Sequence, residues 1–488
     1  MTPSLEQVKV YQGAYRMVPV KKEIFSDRIT PMEVMRKLKR VSSHCYMLES
    51  LNGAENWGRY TFLGYNPTLE LTCINGEVRI TQDGRTRVEK GNPAVYIGEL
   101  LKERKSPVIE GMPTFTGGLV GYFSYDFIKY SEPSLDLEAE DADGFRDIDL
   151  MLFDKVIAFD HFKQKIYLIA NVDLENAETD YARAEKELDA MAELIMCGEA
   201  AKIPPLKLNS DFVPLFSEEE YCEMVEKAKH YIVEGDIFQV VLSNRLEAQA
   251  EGSLFDTYRI LRTTNPSPYM FYFSGEDFEI AGASPETLVK LEGSGLHTFP
   301  LAGTRRRGKD KKEDEALEAE LLADEKELAE HNMLVDLGRN DLGKVSRFGS
   351  VQVEKYMSVE RFSHVMHIGS TVRGEIREVK CALDALSAVL PAGTLSGAPK
   401  IRACEIIHEL ENNKRGIYGG AIGYLDFSGN MDTCISIRIA YKKNGKVFIR
   451  SGAGIVADSV PAKEYEECLN KARAVRNAIS EAEGGIDV

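Results

Sequence analysis

Short runs with strand-like composition are interleaved with helical segments along the chain, and they form no regular strand–helix–strand series. Residues 69–73 and 77–81 are two such runs, joined by Asn75-Gly76, a dipeptide that favours a tight hairpin turn. Residues 312–341 instead carry the longest helical pattern. This mixture predicts an α/β or α+β body. Because no G-x-G-x-x-G motif opens a helix, the sequence disfavours a dinucleotide-binding fold.

The length of 488 residues predicts two large domains or one intertwined body. Residues 198–215 contain Pro, Gly and Ser without periodicity, so we interpret them as a linker or crossover. The predicted domains are therefore 1–205 and 215–482. The motif Gly-Gly-x-x-Gly-Tyr occurs at 117–122 and again at 419–424. It indicates either a weak duplication or two glycine-rich strands packed closely against other backbone.

The net charge of −18 argues against a nucleic-acid-binding protein, which would carry a basic stripe. If the substrate is an anion, local positive charge or a metal ion has to overcome this repulsive field. The eight cysteines are scattered without a C-x-x-C motif, as expected of reduced thiols in a cytosolic protein. The N-terminus lacks an apolar signal-peptide core, and no window approaches the roughly 18 apolar residues of a membrane span. These features predict a cytoplasmic protein.

The stretch 446–472 combines features that suit a metal ion and an anionic ligand. An alternating apolar run predicts a strand, and the following segment, Gly452–Gly454, predicts a turn with accessible backbone N–H groups. In the helix predicted after it, Glu464, Glu467 and Lys471 share one face because they are three and four residues apart. The alternative is a solvated helix with ordinary Glu–Lys pairs, and the stretch alone favours this plainer interpretation.

Three further segments offer single groups with candidate roles. In the strand predicted over 434–441, Arg438 lies opposite an isoleucine face, where it either binds a carboxylate or faces solvent. The segment 393–400 fails the phosphate-loop spacing, so we interpret it as a helix-start turn that tolerates anions, with Thr394 offering a hydroxyl. Glu286 follows an apolar strand, where a raised pKa would suit it to general-acid chemistry. A solvated turn glutamate is the alternative there.

Seven motifs occur together and in one order: FPLAGTRRRG (299–308), AEHNMLVDLGRNDLG (329–343), ERFSHVMHIGSTVRG (360–374), GTLSGAPK (393–400), YGGAIGY (418–424), DTCISIR (432–438) and SGAGIVADSVPAKEYEECLNKA (451–472). With this combination the chain resembles the chorismate-utilising enzymes, and among them the large subunits that form anthranilate. The resemblance is strong over roughly residues 215–480 and looser before them. Seven ordered motifs are far more specific than any one of them.

The resemblance implies an α+β fold with two intertwined domains, an antiparallel β-sandwich core flanked by helices, and a cleft that binds chorismate and Mg²⁺. Glu330 and Glu467 match the Mg²⁺ ligands of the family, and their hard carboxylate oxygens suit this ion. Glu464, one turn before Glu467, becomes a neighbour that can act through water. The positions that match substrate-binding residues of the family are Gly303, Thr304, Thr394, Tyr418, Arg438, Gly452, Ala453, Gly454 and Lys471.

The same resemblance implies a lyase that converts chorismate and ammonia to anthranilate and pyruvate, the first committed step of tryptophan biosynthesis. Glu286 matches the general acid that protonates the leaving C4 hydroxyl, and His367 matches a histidine of the subsequent elimination. Gln239 stands where isochorismate and salicylate synthases carry a water-activating lysine. Ala302 stands where aminodeoxychorismate synthases usually carry a nucleophilic lysine. Both substitutions favour anthranilate formation; the alternatives are an aminodeoxychorismate synthase and a non-catalytic tryptophan-binding protein.

Residues 47–50 (MLES) and 265–270 (NPSPYM) resemble the two walls of the family's tryptophan feedback site, which thereby draws partly on the N-terminal domain. The inhibitor contacts that this implies are Ser50, Pro268, Tyr269 and Met270. No cysteine lies in a G-x-C-x-G nucleophile turn. We therefore expect ammonia to come from a separate glutamine amidotransferase subunit, in a heterotetramer of two large and two small subunits. No nucleic-acid or membrane partner is expected.

Overall fold

The structure, a computed structural model, describes residues 1–51, 58–135, 137–361 and 365–486. The strands in chain order are β1 Met17–Phe25, β2 Cys45–Glu49, β3 Tyr60–Tyr65, β4 Leu69–Ile74, β5 Glu77–Gln82, β6 Arg85–Lys90, β7 Gly118–Phe123, β8 Ile148–Phe153, β9 Lys155–Asp160, β10 Lys165–Asp173, β11 Lys207–Leu208, β12 Val213–Pro214, β13 Gln239–Glu251, β14 Tyr269–Ser274, β15 Phe278–Ser284, β16 Thr287–Glu292, β17 Gly295–Thr298, β18 Leu301–Arg306, β19 Gln352–Arg361, β20 Val365–Glu375, β21 Gly397–Ala398, β22 Ala421–Asp426, β23 Met431–Ile435, β24 Ile439–Lys443 and β25 Lys446–Ile455. The α-helices in chain order are α1 Leu5–Lys9, α2 Pro31–Val41, α3 Pro93–Lys102, α4 Ile128–Ser131, α5 Ala177–Cys197, α6 Glu218–Val233, α7 Phe255–Thr264, α8 Lys311–Ala323, α9 Glu325–Gly343, α10 Ala382–Val389, α11 Lys400–Glu411 and α12 Pro461–Ala482.

Within the described ranges the strands form two large sheets. The first has the order β1-β10-β9-β3-β2-β14-β15-β24-β25-β13-β11, with β12 and β21 also paired to β13. The second has the order β18-β20-β17-β16-β23-β22-β7-β8-β4-β5-β6, with β19 also paired to β20. Neighbouring strands such as β13 and β25, or β7 and β22, run antiparallel. The predicted α+β class is confirmed.

The two sheets pack face to face, and helices cover their outer faces. Tyr46 on β2 points into the space between the sheets, where its ring meets the Phe153 ring of β8 edge-on with 4.7 Å between centroids. Its neighbours Cys45 and Met47 point the other way, into a buried cluster that includes Leu188 of α5. This alternation is the period of two that a strand imposes on its side chains. The result is the antiparallel β-sandwich flanked by helices that the resemblance implied.

Each sheet combines strands from both halves of the sequence, so the halves are intertwined. In the first sheet β14 pairs with β2, with Met270 opposite Glu49. In the second sheet β22 pairs with β7. The boundaries at 1–205 and 215–482 stay a prediction. All eight cysteines are free thiols, and among the described helices none is both long and apolar enough to cross a membrane.

Two neighbouring strand pairs cross from one sheet to the other side by side. The chain continues from β15 into β16 and from β23 into β24, while β15 pairs with β24 in the first sheet and β16 pairs with β23 in the second. The single strand predicted over 434–441 is therefore wrong. The chain bends between Ile435 and Ile439, and Arg438 has a φ of +53°, in the left-handed region.

The structure corrects one predicted helix and confirms one predicted turn. The segment 312–341 forms two helices, α8 and α9, because the Asp324 carboxylate accepts hydrogen bonds from the N–H groups of Lys326 and Glu327 and caps a new helix. The hairpin at Asn75-Gly76 joins β4 and β5, with φ values of +48° and +76° at the two turn residues. Positive φ at both central positions is the signature of the tight hairpin turn.

The repeated motif Gly-Gly-x-x-Gly-Tyr marks the paired strands β7 and β22, where backbones approach closely. A Cβ atom added to Gly121 would lie 2.0 Å from the Asp149 carbonyl oxygen, and one added to Gly423 would lie 2.0 Å from the Asp432 carbonyl oxygen. Both glycines also have positive φ. The interpretation as closely packed glycine strands is confirmed.

We expect the substitution Gly121→Ala to destabilise the protein by about 2 kcal/mol or more, because the new methyl group meets a backbone oxygen and the backbone conformation disfavours alanine. Gly98→Ala is the matched control: nothing lies within 4 Å of a Cβ there, and the residue is in the interior of α3. Alanine should be neutral or stabilising by about 0.5–1 kcal/mol at that helical position. Thermal unfolding midpoints of the two variants check this, and equal midpoints would contradict it.

Candidate active site

Glu286 lies between β15 and β16, where the chain passes from the first sheet to the second. Its backbone carbonyl accepts a hydrogen bond from the Ile435 N–H group (2.9 Å), and its Oε1 accepts one from the Thr394 hydroxyl (3.4 Å). Burial raises the pKa of the Glu286 carboxyl to about 8, although the Thr394 hydrogen bond and the charges of Arg438 and Lys471 act to lower it. The carboxyl is therefore protonated at neutral pH and able to donate a proton.

Arg438 stands at the second sheet crossing, directly beside the first. Its carbonyl accepts a hydrogen bond from the Ala283 N–H group (3.2 Å). Burial lowers the pKa of the Arg438 guanidinium, and Glu286 is the acidic group that opposes this effect. No carboxylate of the described chain forms an ion pair with Arg438 within 4.0 Å. A largely buried guanidinium next to a neutral acid is suited to bind an incoming carboxylate.

His367 on β20 faces an irregularity of β18. Its Nδ1 lies 2.8 Å from the Gly303 carbonyl oxygen and 3.1 Å from the Thr304 hydroxyl. Because a carbonyl only accepts, Nδ1 carries the proton, and Nε2 is the basic nitrogen of the neutral ring. Burial lowers the pKa of His367. Gly303 has a φ of +64°, and a Cβ there would lie 2.9 Å from Leu321, so glycine is needed at this bulge.

The turn predicted at Gly452–Gly454 is wrong, because these residues continue β25 and pair with β13. On β13 the N–H groups of Val241 and Ser243 bind a loop carbonyl and a buried glutamate, both away from β25. Backbone groups alternate along a strand, so Leu242 is the residue that faces β25, opposite Ala453. The two glycines that flank Ala453 must then direct their N–H and C=O groups to the opposite side.

On that side of β25 no strand of the described chain covers Gly452 and Gly454. Lys471 Nζ donates a hydrogen bond to the Gly452 carbonyl (3.1 Å). A Cβ at Gly452 would lie 2.5 Å from the Leu242 carbonyl oxygen and 3.0 Å from the Tyr418 hydroxyl, and one at Gly454 would lie 2.6 Å from Gln239 Nε2. Glycine therefore lets these two side chains approach the backbone and leaves the N–H groups open to an anionic ligand.

Carboxylates outnumber ammonium groups around Lys471. Its Nζ forms an ion pair with Glu467 Oε1 (2.8 Å), one helical turn away. Burial raises the pKa of Glu330, and the Glu327 charge acts in the same direction. Burial likewise raises the pKa of Glu464, again with help from Glu467. In the described ranges no three Asp, Glu, His or Cys side chains converge as a complete metal site, so a cation here needs further ligands from water or substrate.

In the segment 393–400, the hydroxyl of Thr394 is available to a ligand, whereas the side chain of Lys400 is not. Lys400 is buried, and its Nζ donates hydrogen bonds to Asp341 Oδ2 (2.6 Å) and to the Val389 carbonyl (2.7 Å). Thr394 instead lies in a short 3₁₀ turn that faces Glu286. Of the turn that was expected to tolerate anions at the start of a helix, only the Thr394 side chain therefore belongs to the candidate active site.

Ser50, Pro268, Tyr269 and Met270 line one cavity of about 300 Å³. The pairing of β2 with β14 brings the two sequence segments together. The Ser50 hydroxyl is buried, and no hydrogen-bond partner for it is present in the described structure. The Tyr269 hydroxyl donates a hydrogen bond to Asp432 Oδ1 (2.8 Å). A cavity of this volume with polar groups on its wall has the form of a small-molecule site.

The profile of a family described as chorismate binding enzymes matches residues 43–477. The chain belongs to this family. Anthranilate synthase component 1 of Acetivibrio thermocellus is 48% identical, and the alignment covers 98% of this chain and 99% of that protein. The corresponding protein of Aquifex aeolicus is 44% identical over 98% of both chains.

Solved structures agree with this assignment. The crystal structure of anthranilate synthase component I from Streptococcus pneumoniae aligns with a TM-score of 0.75 and 39% identity, covering 93% of this chain and 98% of that one. The menaquinone-specific isochorismate synthase of Escherichia coli aligns with a TM-score of 0.69 at 18% identity, covering 98% and 99%. The second similarity shows the shared fold alone. As a chorismate-binding enzyme, the chain has an active site, and the residues described above are the candidates for it.

Two groups, one at the candidate active site and one in the cavity beside Tyr269, were not predicted from the sequence in the roles they take. Gln239 is close enough to Glu330 to act against the raised pKa of that carboxyl, and its Nε2 would lie 2.6 Å from a Cβ at Gly454, so it stands between the acidic helix and the open strand edge. Asp432 lines the cavity next to Tyr269, and burial raises the pKa of its carboxyl. Both lie in strands, where the sequence pattern gives the face of a residue but not its partner. An alignment of homologues would have been the only signal for either.

The raised pKa of Glu286 predicts a pH dependence of stability. The unfolded chain ionises this carboxyl near its ordinary value of about 4.3, while the folded chain keeps its proton up to about pH 8. Between these values the folded state binds more protons, so this group lowers the free energy of unfolding as pH rises. Glu286→Gln removes the effect. We expect the difference in thermal unfolding midpoint, variant minus wild type, to increase from about pH 5 to about pH 8. Above about pH 8 this difference should stay constant.

The exposed change Glu199→Gln is the control for this series, and its offset from the wild type should stay constant. A Glu286→Gln offset that is equally constant across the pH range would contradict the raised pKa.

Proposed function

We propose that the chain is the chorismate-converting subunit of an anthranilate synthase, which forms anthranilate, pyruvate and water from chorismate and ammonia. The observation that carries this proposal is the protonated Glu286 beside Arg438 at the sheet crossings, in a chain that aligns end to end with named anthranilate synthases. An acid held in its protonated form beside a carboxylate-binding cation suits the loss of a hydroxyl group from an anionic substrate.

Each candidate residue takes one role in this reaction. Arg438 and the open N–H groups of Gly452 and Gly454 bind the carboxylates of chorismate. Glu286 protonates the C4 hydroxyl, which leaves as water while ammonia forms the new C–N bond. His367 accepts through Nε2 the ring proton that is lost when pyruvate leaves. Aromatisation drives this last step, so the protein mainly orients the substrate and moves protons.

The acidic cluster around Lys471 fits Mg²⁺. Its donors are carboxylate oxygens, the ligands this ion prefers, and the pKa values of Glu330 and Glu464 are raised first by burial and further by the neighbouring carboxylates Glu327 and Glu467. We assign Glu330 and Glu467 as its ligands, with Glu464 acting through water. When bound, the ion supplies positive charge for a substrate carboxylate. This offsets the repulsion of the net charge of −18.

Gln239 and Ala302 favour this reaction over its relatives. A neutral amide at Gln239 cannot act as the base that activates water. Ala302, next to Gly303, has no amino group with which to attack the ring. Ammonia is then the remaining nucleophile. Chromatography of the product separates the anthranilate expected here from the isomeric aminobenzoate of the aminodeoxychorismate pathway.

We further propose a glutamine amidotransferase as the source of ammonia, in a heterotetramer of two large and two small subunits in the cytoplasm. The support is that the relatives are named component 1, which implies a second component. The cavity that contains Ser50 and Met270 is the proposed site for tryptophan as feedback inhibitor. It borders strands of both sheets, and its volume suits an aromatic amino acid.

The reaction is tested with the purified chain, chorismate, Mg²⁺ and ammonium, following anthranilate fluorescence. We expect the wild type to form anthranilate and Glu330→Gln to lose at least about 100-fold in rate at any Mg²⁺ concentration, because a hard oxygen ligand becomes a neutral amide. Glu325→Gln, on the exposed side of the same helix, is the matched control and should keep wild-type activity. No fluorescence from the wild type would refute the proposed reaction, and an active Glu330→Gln would refute the ligand assignment alone.

The inhibitor site is tested with Ser50→Ala. We expect this variant to form anthranilate at the wild-type rate and to need about ten-fold more tryptophan for half inhibition, because the buried hydroxyl loses a hydrogen bond to the ligand. Ser26→Ala, after β1 at the far edge of the first sheet, should be inhibited like the wild type. Unchanged inhibition of Ser50→Ala would argue against this cavity as the tryptophan site.

A further inference from the structure

A buried ion cluster lies beneath the candidate chorismate site, on the inner side of β13 and β25. We call Glu411, Arg415, Arg450 and Ser243 the Glu411 network. Arg415 donates to both oxygens of the Glu411 carboxylate (2.9 Å from Nε and 2.5 Å from Nη2), and Arg450 Nη2 donates to Oε2 (2.7 Å). The side chains of Glu411 and Arg415 are each 1% exposed, and that of Arg450 is 4% exposed.

Ser243 closes the network from β13. Its backbone N–H donates to Glu411 Oε1 (2.7 Å), and its hydroxyl donates to the same oxygen (3.0 Å) while accepting a hydrogen bond from Arg450 Nε (2.8 Å). Although burial acts to raise it, the pKa of Glu411 is lowered by the two guanidinium groups. The carboxylate is therefore ionised, and every strong hydrogen-bonding direction around it is used.

The arginines of the network reach out to the segments that carry the proposed substrate contacts. Arg415 Nη1 donates to the Leu395 carbonyl (2.7 Å), next to Thr394, and Nη2 donates to the Val241 carbonyl (2.7 Å), two residues after Gln239. The Arg415 guanidinium also lies 5.9 Å from the centre of the Tyr418 ring. Each of these contacts uses a different edge or face of one planar group.

Two further connections extend the network to the other candidate residues. Arg450 lies on β25 two residues before Gly452, so its bonds to Glu411 and Ser243 fix the strand edge that carries the open N–H groups. Gly419 and Gly420, which follow Tyr418, exchange hydrogen bonds with Ser436 (2.9 Å each), two residues before Arg438. Directly or through one further contact, the network thus connects five segments of the chain, around residues 241, 395, 418, 436 and 450.

We propose that the Glu411 network is a positioning element of the active site: it holds Thr394, Gln239, Tyr418 and the Gly452–Gly454 edge in register for chorismate. This inference rests on the proposed function. Arg415 is the positioning residue at its centre, because only a planar guanidinium can bind Glu411, Leu395 and Val241 together. A lysine keeps the charge but has a single nitrogen, so it cannot bind all of these groups at once, and the segments that contact the substrate are no longer held in fixed positions relative to one another.

The test compares Arg415→Lys with Arg146→Lys. Arg146 is a matched control, since it is also a largely buried arginine that binds carboxylates, Asp149 (2.5 Å) and Asp277 (3.0 Å), away from the candidate site. We expect similar falls in thermal midpoint for both variants. Only Arg415→Lys should raise the KM for chorismate by about ten-fold and lower kcat by about ten-fold or more. Kinetic constants within two-fold of the wild type for Arg415→Lys would overturn the proposal.

If Arg415→Lys does not fold, the variant Ser243→Ala tests the same proposal. It removes one hydroxyl that binds both Glu411 and Arg450, and we expect kcat/KM to fall by about three- to ten-fold with a rise in the KM for chorismate. An unchanged kcat/KM in this folded variant would also overturn the proposal. Calorimetric binding of chorismate with Mg²⁺ is measured for each protein. If the wild type binds chorismate but forms no anthranilate, the proposed reaction fails, while weaker binding by the variants still supports the network.

Discussion

The crossing of two adjacent strand pairs from one sheet to the other determines where this enzyme can place its chemistry. At the crossing the chain leaves one ladder before it joins the next, so its backbone groups need partners. They find them in each other: the Ile435 N–H group binds the Glu286 carbonyl, and the Ala283 N–H group binds the Arg438 carbonyl. The acid and the cation are therefore fixed by the same backbone bonds that join the two sheets. Replacing either strand pair by a continuous strand would remove both.

The candidate site has two parts with different electrostatics: the sheet crossing and the surroundings of Lys471. At the crossing, burial favours the neutral form of Glu286, and its pKa rises to about 8. Around Lys471 the carboxylates lie partly in solvent and repel one another, which suits a divalent cation rather than a proton donor. One fold thus holds a buried carboxyl at the crossing and a separate set of carboxylates around Lys471. Burial is the main cause of the raised pKa values in both places, and like charge from Glu327 and Glu467 adds to it only around Lys471.

The sequence correctly predicted elements that depend on neighbouring residues. It failed for elements whose structure depends on pairing with strands that are far away in the sequence. The Asn75-Gly76 hairpin follows from two residues that tolerate positive φ, so it was predictable. The segment 434–441 alternates as a single strand would, and only its two different partner strands reveal the bend at Arg438. The sequence predicts a turn at Gly452–Gly454 because glycine is common in turns. Here glycine is needed because the Leu242 carbonyl approaches Gly452 and the Gln239 side chain approaches Gly454, and both belong to a distant part of the chain. The same limit applies to the site: the spacing of Glu467 and Lys471 places them together, but nothing local brings Glu330 to them, and only the family resemblance did.

The candidate inhibitor cavity and the catalytic corner are built on the same strands, which bears on how they communicate. Asp432 and Cys434 of β23 line the cavity, and the strand ends one residue later and leads to Arg438. On the paired side, Tyr269 lies opposite Ser284, two residues before Glu286. A ligand that shifts either strand would therefore move Arg438 or Glu286, because only a few residues separate the cavity lining from each of them. On this geometry, the proposed coupling between tryptophan and chorismate needs no long chain of side-chain contacts, because two strands join the two candidate sites directly.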